Sequence, residues 1–221
     1  MHDSADGLRR VDPDYRAAQR KIKFSRTEVI HILAAVTVLS AAFSIIMRNS
    51  RLDPNPTTNV ILIIGMSVVL VVCSFLFHEF GHKFVAQRYN VWSEFRAYPY
   101  GLVIALLFSM FGFLFAAPGA VYINGDIDRT MNGKISLAGP AVNFAISAVA
   151  IVMCLVMEPG TFAYVVLQML AYLNAFMGLF NMIPVLPFDG SKIVAWSIPA
   201  YILTAAIGAA EFIVVYFYIF I

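Results

Sequence analysis

Two histidines and a glutamate stand close together near the end of an apolar run, in FLFHEFGHKFVAQRYN, residues 75–90. Residues four apart on a helix share a face, so His78 and His82 can present imidazole nitrogens to one metal ion. Zinc binds neutral histidine pairs of this kind. Glu79 points about 100 degrees around the helix from His78, which suits a general base acting on water. The spacing predicts a hydrolytic zinc centre that holds one Zn²⁺ per chain.

Chance is the simplest alternative to a metal site. The chain has only four histidines, and two of them fall at this spacing beside a glutamate. They do so within an apolar segment, where ionisable side chains are costly and usually functional. We therefore favour the metal site.

A third protein ligand is needed, and Asp189 in NMIPVLPFDG, residues 181–190, is the natural candidate. This segment follows an apolar run. Pro184 and Pro187 prevent that run from continuing as a helix, and Gly190 permits a tight bend. The alternative role of Asp189 is that of a turn aspartate flanking a helix.

Composition places these residues in a membrane. Of the 221 residues, 61% are hydrophobic and 13% are charged, whereas a soluble domain carries about 25% charged residues. Spanning a bilayer takes about 20 apolar residues in a helix. Four runs qualify clearly and two are ambiguous, at 101–117 and 194–221; the clear ones are 28–47, 60–89, 134–157 and 162–182. We expect an all-α membrane protein, a polytopic helical bundle of about five to six transmembrane segments with a small β or re-entrant element after the second helix.

Basic residues predict the orientation. Seven of the fifteen Lys and Arg residues precede residue 27, which indicates a cytoplasmic tail by the positive-inside rule. We therefore divide the chain into a basic tail at 1–27 and a membrane domain at 28–221, with its core at about 60–192. The basic cluster lacks interleaved aromatic residues and directly precedes a membrane segment, so no nucleic-acid partner is expected.

Topology constrains the ambiguous run at 101–117. For Asp189 to meet His78 and His82, an even number of crossings must separate them, and the runs at 134–157 and 162–182 already supply two. The run at 101–117 must then enter and leave on one face, as its Gly101 and Gly112 permit. If Arg88 marks the cytoplasmic interface, His78 lies about 15 Å below it, so we expect a metal inside the bilayer and nearer the cytosol.

Three patches occur in order on these segments: HEFGH at 78–82, GPAVN at 139–143 and NMIPVLPFDG at 181–190. With them the chain resembles the site-2 proteases, the zinc intramembrane metalloproteases, over most of residues 60–192. This resemblance implies that His78, His82 and Asp189 bind zinc and that Glu79 is the catalytic base. It also implies hydrolysis of peptide bonds within or near transmembrane segments of membrane-protein substrates, in a cell membrane.

The same resemblance implies that two asparagines line the site. Asn181 is the stronger candidate, with a role in catalysis and in substrate binding, and Asn143 is a second substrate-binding candidate. An amide there can hold the substrate backbone or stabilise an oxyanion. The alternative is that each makes a helix–helix hydrogen bond, which contributes about 0.6 kcal/mol on average in membranes.

A helical substrate must be unwound before its peptide bonds can be reached. An exposed strand edge can hold it extended by β-augmentation. We identify two candidate edges, VWSEFRAYP at 91–99 and GAVYI at 119–123.

Two other functions remain as alternatives: a polytopic transporter, and a metal-binding sensor without hydrolase activity. Broken apolar segments and intramembrane carboxylates also mark transporter sites. Glu79 discriminates, because neither alternative needs a base beside the ligands. Of the remaining ionisable residues, His31 is interpreted as a packing residue. Glu211 is left open between a protonated, hydrogen-bonded carboxyl and a substrate gate.

Overall fold

The computed structural model describes residues 23–49, 59–113 and 118–219, so most of the predicted basic tail lies outside the described residues. Within them, five helices are long and apolar enough to cross a membrane: Arg26–Arg48, Val60–Arg88, Arg129–Val156, Phe162–Asn181 and Ile198–Phe217. The expected polytopic helical membrane fold is confirmed.

The elements follow one another in the order helices, hairpin, helices, with two short π-helical turns. They are α1 (Arg26–Asn49), α2 (Val60–Val71), π1 (Val72–Leu76), α3 (Phe77–Arg88), β1 (Trp92–Ala97), α4 (Pro99–Ser109), β2 (Gly119–Asn124), α5 (Arg129–Val156), α6 (Phe162–Asn181), α7 (Asp189–Trp196), α8 (Ile198–Val214) and π2 (Val215–Ile219). Elements α2, π1 and α3 form one continuous helix, and it carries the HEFGH patch.

Polar side chains define where several of these helices start. Asn59, Asp128, Thr161 and Ser197 each accept a hydrogen bond from a backbone N–H in the first turn of α2, α5, α6 and α8, respectively. Such caps satisfy N–H groups that have no partner within the helix. The boundaries of the spans are thus encoded locally.

The described residues between the two strands, 98–113 and 118, favour re-entry over a crossing. Helix α4 has 11 residues, a length of about 16 Å, whereas the hydrocarbon core is about 30 Å thick. Strands β1 and β2 pair antiparallel with Ala97 opposite Gly119. The Tyr98 N–H donates to the Pro118 carbonyl at 2.9 Å. The chain therefore leaves and returns at the same end of the hairpin, although residues 114–117 themselves lie outside the described part.

Helix α5 lies at the centre of the bundle, packed against α3, α6 and α7. Small residues let it approach α3 closely: a Cβ added at Gly81 would lie 2.8 Å from the Ala138 carbonyl oxygen. Backbones that approach at small residues are typical of membrane helix packing. Helix α5 therefore meets the helix that carries the histidine pair and the one that begins with Asp189.

A buried ion pair fastens the hairpin to the bundle. The Lys83 ammonium in α3 donates to both carboxylate oxygens of Glu28 in α1 at 2.8 Å, and neither side chain is exposed. Both partners also bind β1: the Phe95 N–H donates to Glu28 at 3.0 Å and Lys83 donates to the Ser93 carbonyl at 3.0 Å. The position of β1 is therefore set by two helices at once.

Candidate metal centre

His78, His82 and Asp189 come together inside the bundle, although His78 and Asp189 lie 111 positions apart in sequence. The Nε2 atoms of the histidines are 3.0 Å apart. They lie 3.4 Å and 3.1 Å from one carboxylate oxygen of Asp189, for His78 and His82 respectively. All three residues are buried. Among the described residues this is the one group of three whose ligand atoms, all within 4.8 Å of one another, could hold a metal ion.

Each histidine ring is oriented by an oxygen at its other nitrogen. His78 Nδ1 lies 2.6 Å from the Asn143 side-chain oxygen, and His82 Nδ1 lies 2.8 Å from the Ile135 carbonyl oxygen. Because both oxygens are acceptors, both Nδ1 atoms carry a proton, so the Nε2 atoms on the Asp189 side are the ones that can bind a metal. Two neutral imidazoles held by outer hydrogen bonds, with one carboxylate, form a donor set that fits zinc.

Asp189 reaches the histidines because the chain bends sharply before it. A Cβ added at Gly190 would lie 2.2 Å from the Met182 carbonyl oxygen, so only glycine fits the bend. A carboxylate must be ionised to bind a metal, and Asp189 would bind zinc in that form.

The GPAVN patch forms the wall behind the two rings. A Cβ added at Gly139 would lie 2.4 Å from His82 Nε2 and 2.7 Å from His78 Cε1, so this wall has no room for a side chain. One helical turn later, Asn143 bonds His78. The patch thus makes room for both rings and orients one of them.

Glu79 faces the hairpin. It is buried, and one of its carboxylate oxygens accepts a hydrogen bond from the Val121 N–H of β2 at 3.0 Å. This carboxylate is outside the ligand group found among the described residues. Glu79 adjoins His78 in the chain, but its carboxylate contacts β2 and is separate from the ligand group.

The two asparagines differ in their contacts. Asn143 is fully buried, and its amide nitrogen donates to the Ser74 carbonyl at 2.9 Å and to the Asn174 side-chain oxygen at 2.8 Å. Both amide hydrogens therefore have acceptors, and the side-chain oxygen contacts His78; the substrate-binding role that the resemblance implied for Asn143 stays a prediction. Asn181 is half-buried and donates one hydrogen bond, to the Met177 carbonyl of its own helix at 3.0 Å.

Sequence reasoning missed three residues near the ligands. Asn174 and Ser74 are buried and hydrogen-bonded around Asn143, and Lys192 places its ammonium 3.8 Å from Asp189. The available signal for Asn174 was an amide in the middle of an apolar run.

For His31, the interpretation as a packing residue agrees with the structure, in which its Nδ1 accepts from the Ala97 N–H at 3.2 Å.

Curated proteins resemble this chain over most of its length. MJ0611 of Methanocaldococcus jannaschii, named provisionally as a zinc metalloprotease, is 38% identical over 177 residues, which are 79% of this chain and 87% of that protein. The chain belongs to this family of zinc metalloproteases. Family membership and the five apolar helices together make it a membrane member of the family.

Two further relatives are longer proteins. The zinc metalloprotease MJ0392 of the same organism is 28% identical over 144 residues, which are 60% of this chain and 38% of MJ0392. Rip3 of Mycobacterium tuberculosis, also named provisionally as a zinc metalloprotease, is 33% identical over 151 residues, 65% of this chain and 34% of Rip3. No family model matches the sequence, and no solved structure gives a significant match.

Proposed function

We propose that this protein is a site-2 type intramembrane zinc protease, which hydrolyses peptide bonds within or near the transmembrane segments of membrane-protein substrates. The supporting observation is the position of the ligand group. His78 and His82 lie inside a helix long and apolar enough to span a bilayer, and Asp189 meets them from the start of the short helix α7, which follows the span Phe162–Asn181. A protease site at this place would act on chain embedded in, or emerging from, the membrane.

Each residue has a distinct task in this proposal. His78, His82 and Asp189 would hold one zinc ion, which when bound supplies a Lewis acid that makes water acidic enough to be deprotonated near neutral pH. Glu79 takes the proton from the attacking water and returns it to the departing amine. Asn181 uses one amide hydrogen within its helix, and its other amide hydrogen would stabilise the oxyanion or bind the substrate backbone.

The outer edge of β2 is our candidate for the substrate-binding strand. The Val121 N–H on that edge reaches Glu79, so a strand added there would lie beside the base. Alternation along the strand turns the N–H of Ile123 to the same edge. An incoming strand that pairs with Val121 must displace the Glu79 carboxylate from this N–H, which would free the base as substrate arrives.

We propose the same orientation as the basic residues predict, with the amino terminus and the active site toward the cytoplasm of a cell membrane. Arg88, Arg96 and Arg129 lie in or beside the segment between α3 and α5, and the positive-inside rule places such a segment in the cytoplasm. The ligand group is at the same end of the bundle, since α3 ends at Arg88.

The decisive experiment incubates the purified protein with a membrane protein that carries one transmembrane helix. We expect cleavage by the wild type and about 10²- to 10⁴-fold slower turnover by Glu79→Gln, the range for a general base, with zinc content unchanged. Glu158→Gln makes the same change in an exposed turn and should alter neither. Full cleavage by Glu79→Gln would contradict the assigned base. Zinc-loaded wild type that cleaves no helix-containing substrate would favour the transporter or sensor.

The metal site can be tested without activity. Gly139→Ala places a methyl group against both histidine rings, and we expect it to weaken zinc binding by about 10- to 100-fold, as disturbed outer contacts of ligands do. Gly65→Ala is the matched control, because an added Cβ there meets nothing within 4 Å. Zinc affinity is measured by competition with a chelator. Equal affinity in Gly139→Ala and wild type would locate the metal elsewhere.

A further inference from the structure

A closed network of buried polar groups lies behind His78, on the side away from Asp189. It joins Ser74 in π1, Asn143 in α5 and Asn174 in α6, all of them buried and the two asparagines fully so. Asn174 donates to the Ser74 hydroxyl at 3.2 Å and to the Leu170 carbonyl at 2.9 Å. Its oxygen accepts from Asn143 at 2.8 Å. Buried amides are costly without partners, and here every described amide atom has one.

The network fixes the direction of each amide in turn. The Leu170 carbonyl can only accept, so it holds the NH₂ group of Asn174 and turns the Asn174 oxygen toward Asn143. Asn143 then faces two acceptors, the Asn174 oxygen and the Ser74 carbonyl. Its NH₂ group must point to them, and its oxygen must point to His78. That oxygen holds the proton on Nδ1 of the ring and leaves Nε2 free.

We propose that Asn174 is a positioning residue of the metal centre, acting through Asn143 to hold His78 in the tautomer and orientation that bind metal. This inference rests on the proposed zinc site. Were Asn143 to turn over, its NH₂ group would face Nδ1 of His78. Nδ1 would then have to accept, the ring proton would move to Nε2, and Nε2 could no longer bind a metal.

The π-helical turn π1 is part of the same hydrogen-bond network. Ser74 lies within π1 and supplies two acceptors to the network, its hydroxyl to Asn174 and its carbonyl to Asn143. Turns of this kind occur frequently at functional sites because they change the course of the backbone hydrogen bonds. Four residues later the same helix presents His78, so the network and the ligand are joined through one short piece of backbone as well as through side chains.

A purely structural role makes a different prediction. If Asn174 only joined helices, its loss would lower the stability of the bundle and would leave zinc affinity unchanged. Gln168 provides the matched control on the same helix. Its side chain donates to the Ile219 carbonyl at 2.6 Å, so Gln168→Ala also removes a bond from α6 to another element, but it does not act on His78.

The test measures zinc affinity of the full chain in detergent micelles, by competition with a chelator. We expect Asn174→Ala to bind zinc about tenfold more weakly than the wild type, at the low end of the range for residues that orient metal ligands. Gln168→Ala should bind zinc as the wild type does. Wild-type affinity in Asn174→Ala would overturn the inference while leaving the zinc site standing. A wild type that binds no zinc would remove both.

A double-mutant cycle tests whether the effect passes through Asn143. We expect Asn143→Ala to weaken zinc binding, and the double variant Asn143→Ala/Asn174→Ala to bind zinc no more weakly than Asn143→Ala alone, because coupled residues are not additive. Losses that multiply would show that Asn174 acts independently, which contradicts the proposal.

If Asn174→Ala does not fold, the variant Ser74→Ala tests the same proposal. It removes the hydroxyl that accepts from Asn174 but keeps the backbone carbonyl that accepts from Asn143. We expect zinc binding about two- to threefold weaker than in the wild type, in keeping with the loss of one hydrogen bond. Wild-type zinc affinity in a folded Ser74→Ala would count against the network.

Discussion

The two outer edges of the β1–β2 hairpin make different contacts with the rest of the molecule. On the outer edge of β1, the Phe95 and Ala97 N–H groups and the Ser93 carbonyl bind the buried or half-buried side chains of Glu28, His31 and Lys83. On the outer edge of β2, Val121 binds Glu79, and among the described residues β1 is the one strand that pairs with β2. One edge is closed by the bundle, and the other meets the candidate base.

This difference selects between the two candidate substrate edges of the sequence. A strand can be extended only where its backbone groups are available, and those of β1 are already bound to helices α1 and α3. The edge of β2 has one such group engaged, by a carboxylate whose proposed role requires it to move. The closed edge therefore sets the position of the hairpin, and the open edge is where we expect the substrate.

We expect the largest effect, on stability, from breaking the Glu28–Lys83 ion pair behind the outer edge of β1. Lys83→Met leaves the Glu28 carboxylate buried without a counter-charge, and we expect the free energy of unfolding to fall by about 3–5 kcal/mol, measured as a lower thermal midpoint in detergent. The double variant Glu28→Gln/Lys83→Met removes both charges and should recover most of this loss. No destabilisation in Lys83→Met would mean that β1 is held by other contacts.

We expect a smaller effect, on substrate cleavage, from blocking the outer edge of β2. Ile123→Pro removes an N–H that points away from β1, and proline is tolerated at such edge positions. The loss of one backbone hydrogen bond to substrate, about 0.5–1.5 kcal/mol, corresponds to a kcat/KM up to about tenfold lower on a transmembrane substrate.

Ile123→Ala is the control for this variant, because it shortens the side chain and keeps the N–H. It should cleave at close to the wild-type rate. If Ile123→Pro cleaves a folded helical substrate at the rate of Ile123→Ala, substrate does not add to β2.

We expect the smallest effect, again on stability, from removing one contact of the outer edge of β1. His31→Ala leaves the Ala97 N–H without its acceptor, which should cost about 1 kcal/mol of stability. His31→Gln places an amide oxygen in the same region and should restore part of the lost stability. Thermal midpoints of the two variants make the comparison. Equal stability of His31→Ala and wild type would show that the Ala97 N–H is not held by His31.

The fold was largely predictable, because membrane helices are encoded by local composition. The spans predicted at 28–47, 60–89, 134–157 and 162–182 correspond to α1, the continuous α2–π1–α3 helix, α5 and α6. The last predicted run, 194–221, is interrupted: α7 ends at Trp196, and α8 begins at Ile198 with Pro199 in its first turn. Re-entry of the segment after β1 could be argued only from the need to bring Asp189 to the histidines.

The ligands could be identified from the sequence, but the surroundings of the ligands could not. His78 and His82 share a helix, so their spacing alone brings them together. The contacts of Asn143 with His78 and Asn174, and of Glu79 with Val121, join residues at least 31 positions apart, and no local pattern encodes such distances. For this reason the sequence favoured Asn181, while the structure gives the direct bond with a candidate ligand to Asn143.

The sequence by itself determined which segments cross the membrane and which residue types can hold a metal, because hydrophobic length and helical spacing act over a few neighbouring residues. Tertiary structure alone decided which nitrogen of each histidine is free, which edge of the hairpin is open and which carbonyl orients which amide. These properties depend on hydrogen bonds between helices that are distant in the chain. They form only when the bundle has packed and water has been excluded from its centre.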